Sequence, residues 1–120
     1  MLASASSLRD DTEGFAKELV SEGSVDCVYN PLVYAWDVHR RYIEISGGLG
    51  AKTVMLGMNP GPHGMGQMGI PFAATSPVRD LLGISGIPVM QPSDPHPRRP
   101  VLGLDYPREE VSGTRIWGLL

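Results

Sequence analysis

The run KTVMLGMNPGPHGMGQMGIPF, Lys52 to Phe72, decides how this chain is read. Its first six residues, Lys52 to Gly57, form a continuous apolar stretch rather than an alternating one. That pattern predicts a short buried strand of the kind found in parallel sheets covered on both faces. From Asn59 to Phe72 no period survives. Glycines at 57, 61, 64, 66 and 69 allow a ligand to approach the backbone, and prolines at 60, 62 and 71 fix the path. A loop at the carboxyl end of a strand is where open α/β sheets place their ligands. Asn59 is the first polar side chain after the strand, and the aromatic ring of Phe72 closes the segment. A flat ring beside exposed amides suits a flat heterocycle, stacked and hydrogen-bonded along one edge. On these residues alone, a nucleobase pocket and a proline-stiffened surface loop carry equal weight.

Upstream, Asn30-Pro31 marks a helix start. Proline is preorganised for the first helical position, and the residue before it is pushed out of the α region. The segment Leu32 to Ile45 then places Leu32, Trp36, His39 and Ile43 on one row and Ala35, Val38, Tyr42 and Ile45 on another, before Gly47-Gly48 ends it. Phe15, Leu19 and Val20 predict a short helix over Thr12 to Glu22, stopped by Gly23. Met1 to Asp11 read as a disordered lead. Downstream, Ser76 and Pro77 predict a helix to Leu82 with Ser76 as its cap. Gly86 to Pro100 is a loop with five prolines, Val101 to Leu104 an extended piece, and Ser112 the cap of a further helix carrying Ile116, Trp117, Leu119 and Leu120. That helix lacks a closing turn, so its continuation is expected.

Composition narrows the classes. The 120 residues are 42% hydrophobic and 19% charged, which suits a globular unit and excludes wholesale disorder. The 15 glycines and 11 prolines suit a loop-rich design better than a helical bundle. A net charge of −3 argues against a strong non-specific grip on phosphates, although a local basic groove can coexist with it. The single cysteine, Cys27, offers no internal disulfide, no signal peptide is visible, and no stretch approaches the roughly 20 apolar residues of a membrane span. An intracellular, reducing location is expected.

Several residues have a plain reading beside a functional one. His39, on an amphipathic helix, reads as a partly buried structural residue. Cys27 reads as a small buried hydrophobe, and Met55 as core. His39, His63 and His96 are too scattered for a local metal signature. Arg98-Arg99 is either a contact to DNA phosphates or a solvated pair, and the sequence leaves both open. Gly50-Ala51-Lys52-Thr53 lacks the glycine before lysine that a phosphate loop needs, and its lysine precedes the strand.

The run GMNPGPHGMGQMGIPF resembles the first catalytic motif of the single-strand-selective monofunctional uracil-DNA glycosylases. The likeness extends outward to Tyr29-Asn30-Pro31, Tyr34-Ala35-Trp36 and His39-Arg40. It continues through His96 to Leu104 and Val111 to Gly118, covering roughly residues 25 to 118. This resemblance implies an α/β fold, a three-layer α/β/α sandwich around a short, mainly parallel sheet, here truncated. Residues 1–24 would be a lead with a short helix, and residues 25–120 a partial glycosylase domain.

The resemblance also implies a reaction. Uracil, or a 5-substituted uracil such as 5-hydroxymethyluracil, would be cut from single- or double-stranded DNA by hydrolysis of its N-glycosidic bond, leaving an abasic site. Asn59 would position the water that attacks C1′, and Phe72 would stack on the base. Met58 would line the pocket and offer its backbone amide, while Gly61 and Met65 would shape the wall. No cofactor, metal or membrane enters, and a monomer is expected, nuclear in a eukaryote and otherwise cytoplasmic. His63 stands where the family usually has phenylalanine, Met68 where threonine is common, and Ala73-Ala74 where Gly-Glu is usual. The family's histidine-containing loop, which stabilises the departing uracil, has no counterpart here. A preorganised hydrogen bond of that kind is worth roughly 10²–10³ in rate, so the chain alone is expected to turn over little. Two other readings are a catalytically inactive product with a DNA-binding or regulatory role, and an unrelated module whose proline-rich loop engages a partner.

Overall fold

The protein is described by a computed structural model covering residues 1–48 and 50–120. Its elements in chain order are α1 (Leu2–Ser21), α2 (Pro31–Tyr34), α3 (Trp36–Ser46), α4 (Met65–Met68), α5 (Thr75–Asp80), a 3-10 helix (Gly103–Asp105) and α6 (Val111–Leu119). Among the described residues there is no β-strand. The expected three-layer α/β/α sandwich is therefore corrected to a helical, loop-rich arrangement. The physical reason lies in Lys52 to Gly57. A strand completes its backbone hydrogen bonds only on a neighbour, and this stretch has none among the described residues. Ala51 to Pro60 are all exposed, with Val54 at 89% and Leu56 at 95%. Met55, expected in the core, is 49% exposed.

The helix starts follow local chemistry more closely. Asn30 is extended (φ −106°, ψ 95°) and its side-chain oxygen accepts the Leu32 N–H at 3.1 Å, with Pro31 at the first helical position. The expected single helix over Leu32 to Ile45 is two, because Ala35 leaves the helical region (φ −106°, ψ 24°). Gly69 comes against this break: a Cβ on it would lie 3.1 Å from both Ala35 Cβ and the Ala35 carbonyl oxygen. The first helix begins at Leu2, so Met1 to Asp11, expected as a disordered lead, is mostly helical. Arg9 on that helix sits 4.5 Å from the Trp36 ring centroid, a cation–π contact that ties α1 to α3.

The core gathers Val38 from α3, Met68 and Ile70 from the glycine-rich segment, Ala73, Val78 of α5 and Ile84. Tyr42, Ile45, Leu82, Ile87, Val89 and Leu104 pack around them. Burying each large apolar side chain of this set stabilises the fold by about 1.5–3 kcal/mol. Met68 is fully buried here, so it is a core residue. Tyr34, Ala35 and Val101 form a second buried group. The Val101 to Leu104 piece is extended only at its start, since Gly103–Asp105 turns into the 3-10 helix. The core thus encloses one side of the 59–72 segment and leaves its other side open.

Candidate functional site

The segment from Asn59 to Phe72 is held from three directions. Below it, the buried Gln67 side chain donates from Nε2 to the carbonyls of Pro62 (3.2 Å) and Pro100 (3.1 Å), and its Oε1 accepts the Leu102 N–H (2.8 Å). One amide thereby satisfies three backbone groups on two loops. From α3, His39 Nδ1 meets the Gly69 carbonyl at 2.6 Å, which requires the proton on Nδ1. His39 is buried, as expected of a structural residue, and burial lowers its pKa. Tyr34 Oη donates to the Gly66 carbonyl at 2.6 Å. Its own pKa is pushed well above the phenol range, chiefly by burial.

The third direction is α6 with its cap residue Glu110. Glu110, Gly113 and Trp117 recur at the spacing of one helical face. Glu110 Oε2 accepts the His63 N–H at 3.2 Å. A Cβ on Gly61 would fall 2.5 Å from that same oxygen. Trp117 Nε1 donates to the Phe72 carbonyl at 3.0 Å. The sequence singled out none of these three residues as functional. The available signal was their spacing, with a glycine at the point of closest approach.

The five residues nominated from sequence are placed as follows. Asn59 is exposed, and its Nδ2 donates to the adjacent Pro60 carbonyl at 3.2 Å. Met58 is fully exposed. Gly61 receives two N–H groups on its carbonyl, from Gly64 (3.3 Å) and Gly66 (2.8 Å), which closes a tight turn. Met65 opens α4 and is half-buried. Phe72 has φ 54° and is the only non-glycine residue with positive φ among those described. Such backbone is uncommon for a bulky residue and persists where surrounding structure over-determines it. Its ring lies against Gly57, where a Cβ would come 3.2 Å from the ring's Cζ. The loop therefore brings Phe72 to the chain two residues before Asn59. Met58 and Asn59 have no tertiary hydrogen bond among the described residues.

Beside this cradle runs a cleft of about 740 Å³. Its lining includes Pro60, Pro62, His63, His96, Arg98 and Arg99. None of the five nominated residues lines it, whereas Cys27, read from the sequence as a small buried hydrophobe, lines it and is half-buried. His63 stacks on Tyr106 (centroids 5.4 Å apart, planes at 18°), and its Nδ1 shares a hydrogen bond with Tyr106 Oη at 2.9 Å. Among the described residues no group of three or more His, Cys, Asp or Glu is placed to hold a metal ion, and no helix is long and apolar enough to cross a membrane.

Comparison with known proteins shows the family of the chain. No protein-family model matches the chain. Over 94 residues, 78% of its length, it is 53% identical to the bovine single-strand selective monofunctional uracil DNA glycosylase, covering 34% of that protein. The mouse protein of the same name is 51% identical over 94 residues, with 33% of it covered, and the rat protein 51%, with 34% covered. The chain spans about a third of the length of these curated relatives. In class it is a homologue of uracil-DNA glycosylases. Within that class it belongs to the single-strand-selective monofunctional family, of which it represents the amino-terminal portion.

Proposed function

We propose that this chain supplies the base cradle and water-positioning half of a DNA-repair glycosylase. The enzyme would hydrolyse the N-glycosidic bond of uracil, or of a 5-substituted uracil such as 5-hydroxymethyluracil, and leave an abasic site. The reading has it act on DNA as a monomer, in the nucleus of a eukaryotic cell. The observation that carries it is Phe72. A bulky residue in the left-handed region, buttressed by a helix face, sets an aromatic ring against the backbone that leads into Met58 and Asn59. Strain of this kind gathers at ligand clamps.

Each residue has a part. Phe72 stacks on the extruded base, the Met58 backbone amide meets a uracil carbonyl, and Gly61 and Met65 shape the wall. Asn59 orients the hydrolytic water through its side-chain amide. That amide does not take up a proton near neutral pH, so it cannot be a general base. The bond to the base must loosen before water attacks: the C1′–N1 electron pair leaves with uracil, and water then captures the oxocarbenium-like sugar at C1′ and gives its proton to the departed uracil anion through solvent. Rate in such a scheme comes from positioning and from stabilising the departing anion.

The test is a chimera in which this chain replaces the matching portion of the bovine relative, assayed on a single-stranded oligonucleotide carrying one uracil. The expected result is uracil release that falls roughly 10²–10³-fold in Asn59→Ala. Asn59 is exposed and bonded only to its neighbour's carbonyl, so the same change should move stability by less than about 0.5 kcal/mol. Unchanged release in the variant would remove Asn59 from the mechanism.

A further inference from the structure

Of the 11 prolines in the chain, only Pro77 follows a serine or threonine. The run there is Ser76-Pro77-Val78-Arg79, a serine, then proline, then a basic residue three positions after the serine. Proline-directed serine/threonine kinases select this pattern. Proline has no N–H to leave unpaired beside the reacting serine, and the basic side chain can meet an anionic patch on the enzyme. Ser76 does not cap α5. Its N–H and its hydroxyl both donate to Glu109 Oε1, at 2.9 and 2.5 Å. Beside it, Thr75 Oγ1 donates to the Tyr106 carbonyl at 3.2 Å. These bonds tie the start of α5 to residues 106–110. Glu110 carries the tie onward: its Oε2 accepts the His63 N–H at 3.2 Å, and its carbonyl accepts the Thr114 N–H at 2.9 Å, which opens α6. The carboxylate bound to Ser76 and the one bound to the glycine-rich loop therefore belong to adjacent residues.

We infer that Ser76 is a phosphorylation site for a proline-directed kinase, and that its modification releases Glu109 and loosens the grip of Glu110 on the glycine-rich loop. Ser76 Oγ attacks the γ-phosphorus of ATP, its proton passes to the kinase's base, and ADP leaves with the electron pair of the broken P–O bond. The hydroxyl that donated to Glu109 becomes a group of acceptor oxygens carrying a charge of about −1.5 to −2. It has no proton left to donate, and two anions then face each other. Arg79, three residues on, is the cation within reach. It grips Asp80 at 2.7 and 2.9 Å, and it lies close enough to Glu109 that both carboxylates, Asp80 chiefly, raise its pKa. The phosphate competes for Arg79 and weakens its attraction to Glu109. A kinase takes its serine in extended backbone, so the first turn of α5 must open. That helix has six residues and no side-chain cap, and so short a helix opens locally at low cost. None of this uses the glycosylase reading; only the effect of a looser loop on uracil release would.

The test incubates the 120-residue chain with a cyclin-dependent kinase and Mg-ATP, then locates the phosphate by mass spectrometry. Ser76 should take it up, Ser76→Ala should abolish the uptake, and Arg79→Ala should slow it several-fold. Hydrogen exchange of the modified chain above the phosphate's second pKa of about 6 reads the consequence. The His63 amide should exchange about tenfold faster, as expected for loss of one hydrogen bond to a charged acceptor. The Met90 amide, bonded to the Tyr34 carbonyl at 2.9 Å, lies outside this linkage and should keep its rate. In Glu109→Gln the neutral amide can donate to the phosphate, so modification should leave the His63 rate unchanged. An unchanged far-ultraviolet circular dichroism spectrum confirms that each variant folds. Failure of Ser76 to take up phosphate would overturn the inference, as would an unaltered His63 rate in the modified chain. Equal quickening in Glu109→Gln, or at Met90, would replace the charge switch with general destabilisation. Any of these results leaves the Asn59→Ala assay of the chimera untouched, so the two proposals fail separately.

Discussion

Gly113 and the Phe72 carbonyl are in such close approach that a Cβ on Gly113 would lie 2.5 Å from the Phe72 oxygen and 2.6 Å from that of Ala73. Both neighbours are backbone and cannot swing aside. Alanine is the better helix former, by about 0.8–1.0 kcal/mol, yet Gly113→Ala should destabilise the protein by about 1–3 kcal/mol through overpacking. Gly118, in the same helix, has nothing among the described residues within 4 Å of an added Cβ. Gly118→Ala should therefore stabilise by about 0.5–1 kcal/mol. Urea unfolding of the two variants reads the opposite signs. Equal signs would mean that α6 does not press on Phe72.

Gln67 is the second test of how the cradle is held. Gln67→Leu keeps much of the side-chain volume but strands the Pro62 and Pro100 carbonyls and the Leu102 N–H, all bonded to it here. Leaving such groups unpaired costs about 1–3 kcal/mol. Hydrogen exchange at the Leu102 amide should quicken in the variant. Unchanged protection there would show that the amide's role has been misassigned.

His63 and Tyr106 make a hydrogen bond and a stacked pair at once, and a double-mutant cycle separates the two. His63→Phe and Tyr106→Phe each keep an aromatic ring and lose the bond, at a cost of about 0.5–1.5 kcal/mol. Because the same bond is lost in both, the double variant should cost clearly less than the sum. Additive losses would leave stacking as the pair's only contribution.

His39 gives the stability a pH dependence with a definite sign. Burial holds its folded-state pKa below the ordinary value of 6.5. The unfolded chain therefore takes up the proton first as pH falls. The stability His39 contributes is present above about pH 6.5, is lost as pH falls through that value, and levels off below the folded pKa. His39→Asn retains a donor for the Gly69 carbonyl and cannot titrate. Its unfolding free energy should therefore be flatter than the wild type's between about pH 7.5 and about pH 5.5. Parallel profiles would show that His39 does not carry the dependence.

The sequence made local structure legible and non-local structure much less so. Asn30-Pro31 announced its helix correctly because the cap and the proline act within three residues. Ser76-Pro77 misled, since α5 starts at Thr75 and the Ser76 N–H and hydroxyl instead go to Glu109, which lies 33 residues away. Lys52 to Gly57 carries the composition of a strand, but pairing depends on a partner that periodicity cannot supply. Asn59 and Phe72 were nominated from the glycines and prolines around them, and Met58, Gly61 and Met65 from the resemblance. The α6 face that fixes Phe72 could not, because Glu110, Gly113 and Trp117 reveal their common purpose only once the helix lies against the loop.

Tyr29 and Gln67 also set how far this chain tolerates changes in length. Tyr29 fastens His96 and Arg99, and Gln67 fastens Pro100 and Leu102, so the spacing from 96 to 102 is clamped at four points. Ser93 to Pro95, immediately before, are exposed and carry no such fastening among the described residues. An inserted residue there spills into solvent, whereas the same insertion between His96 and Leu102 has nowhere to go without releasing one of the clamps.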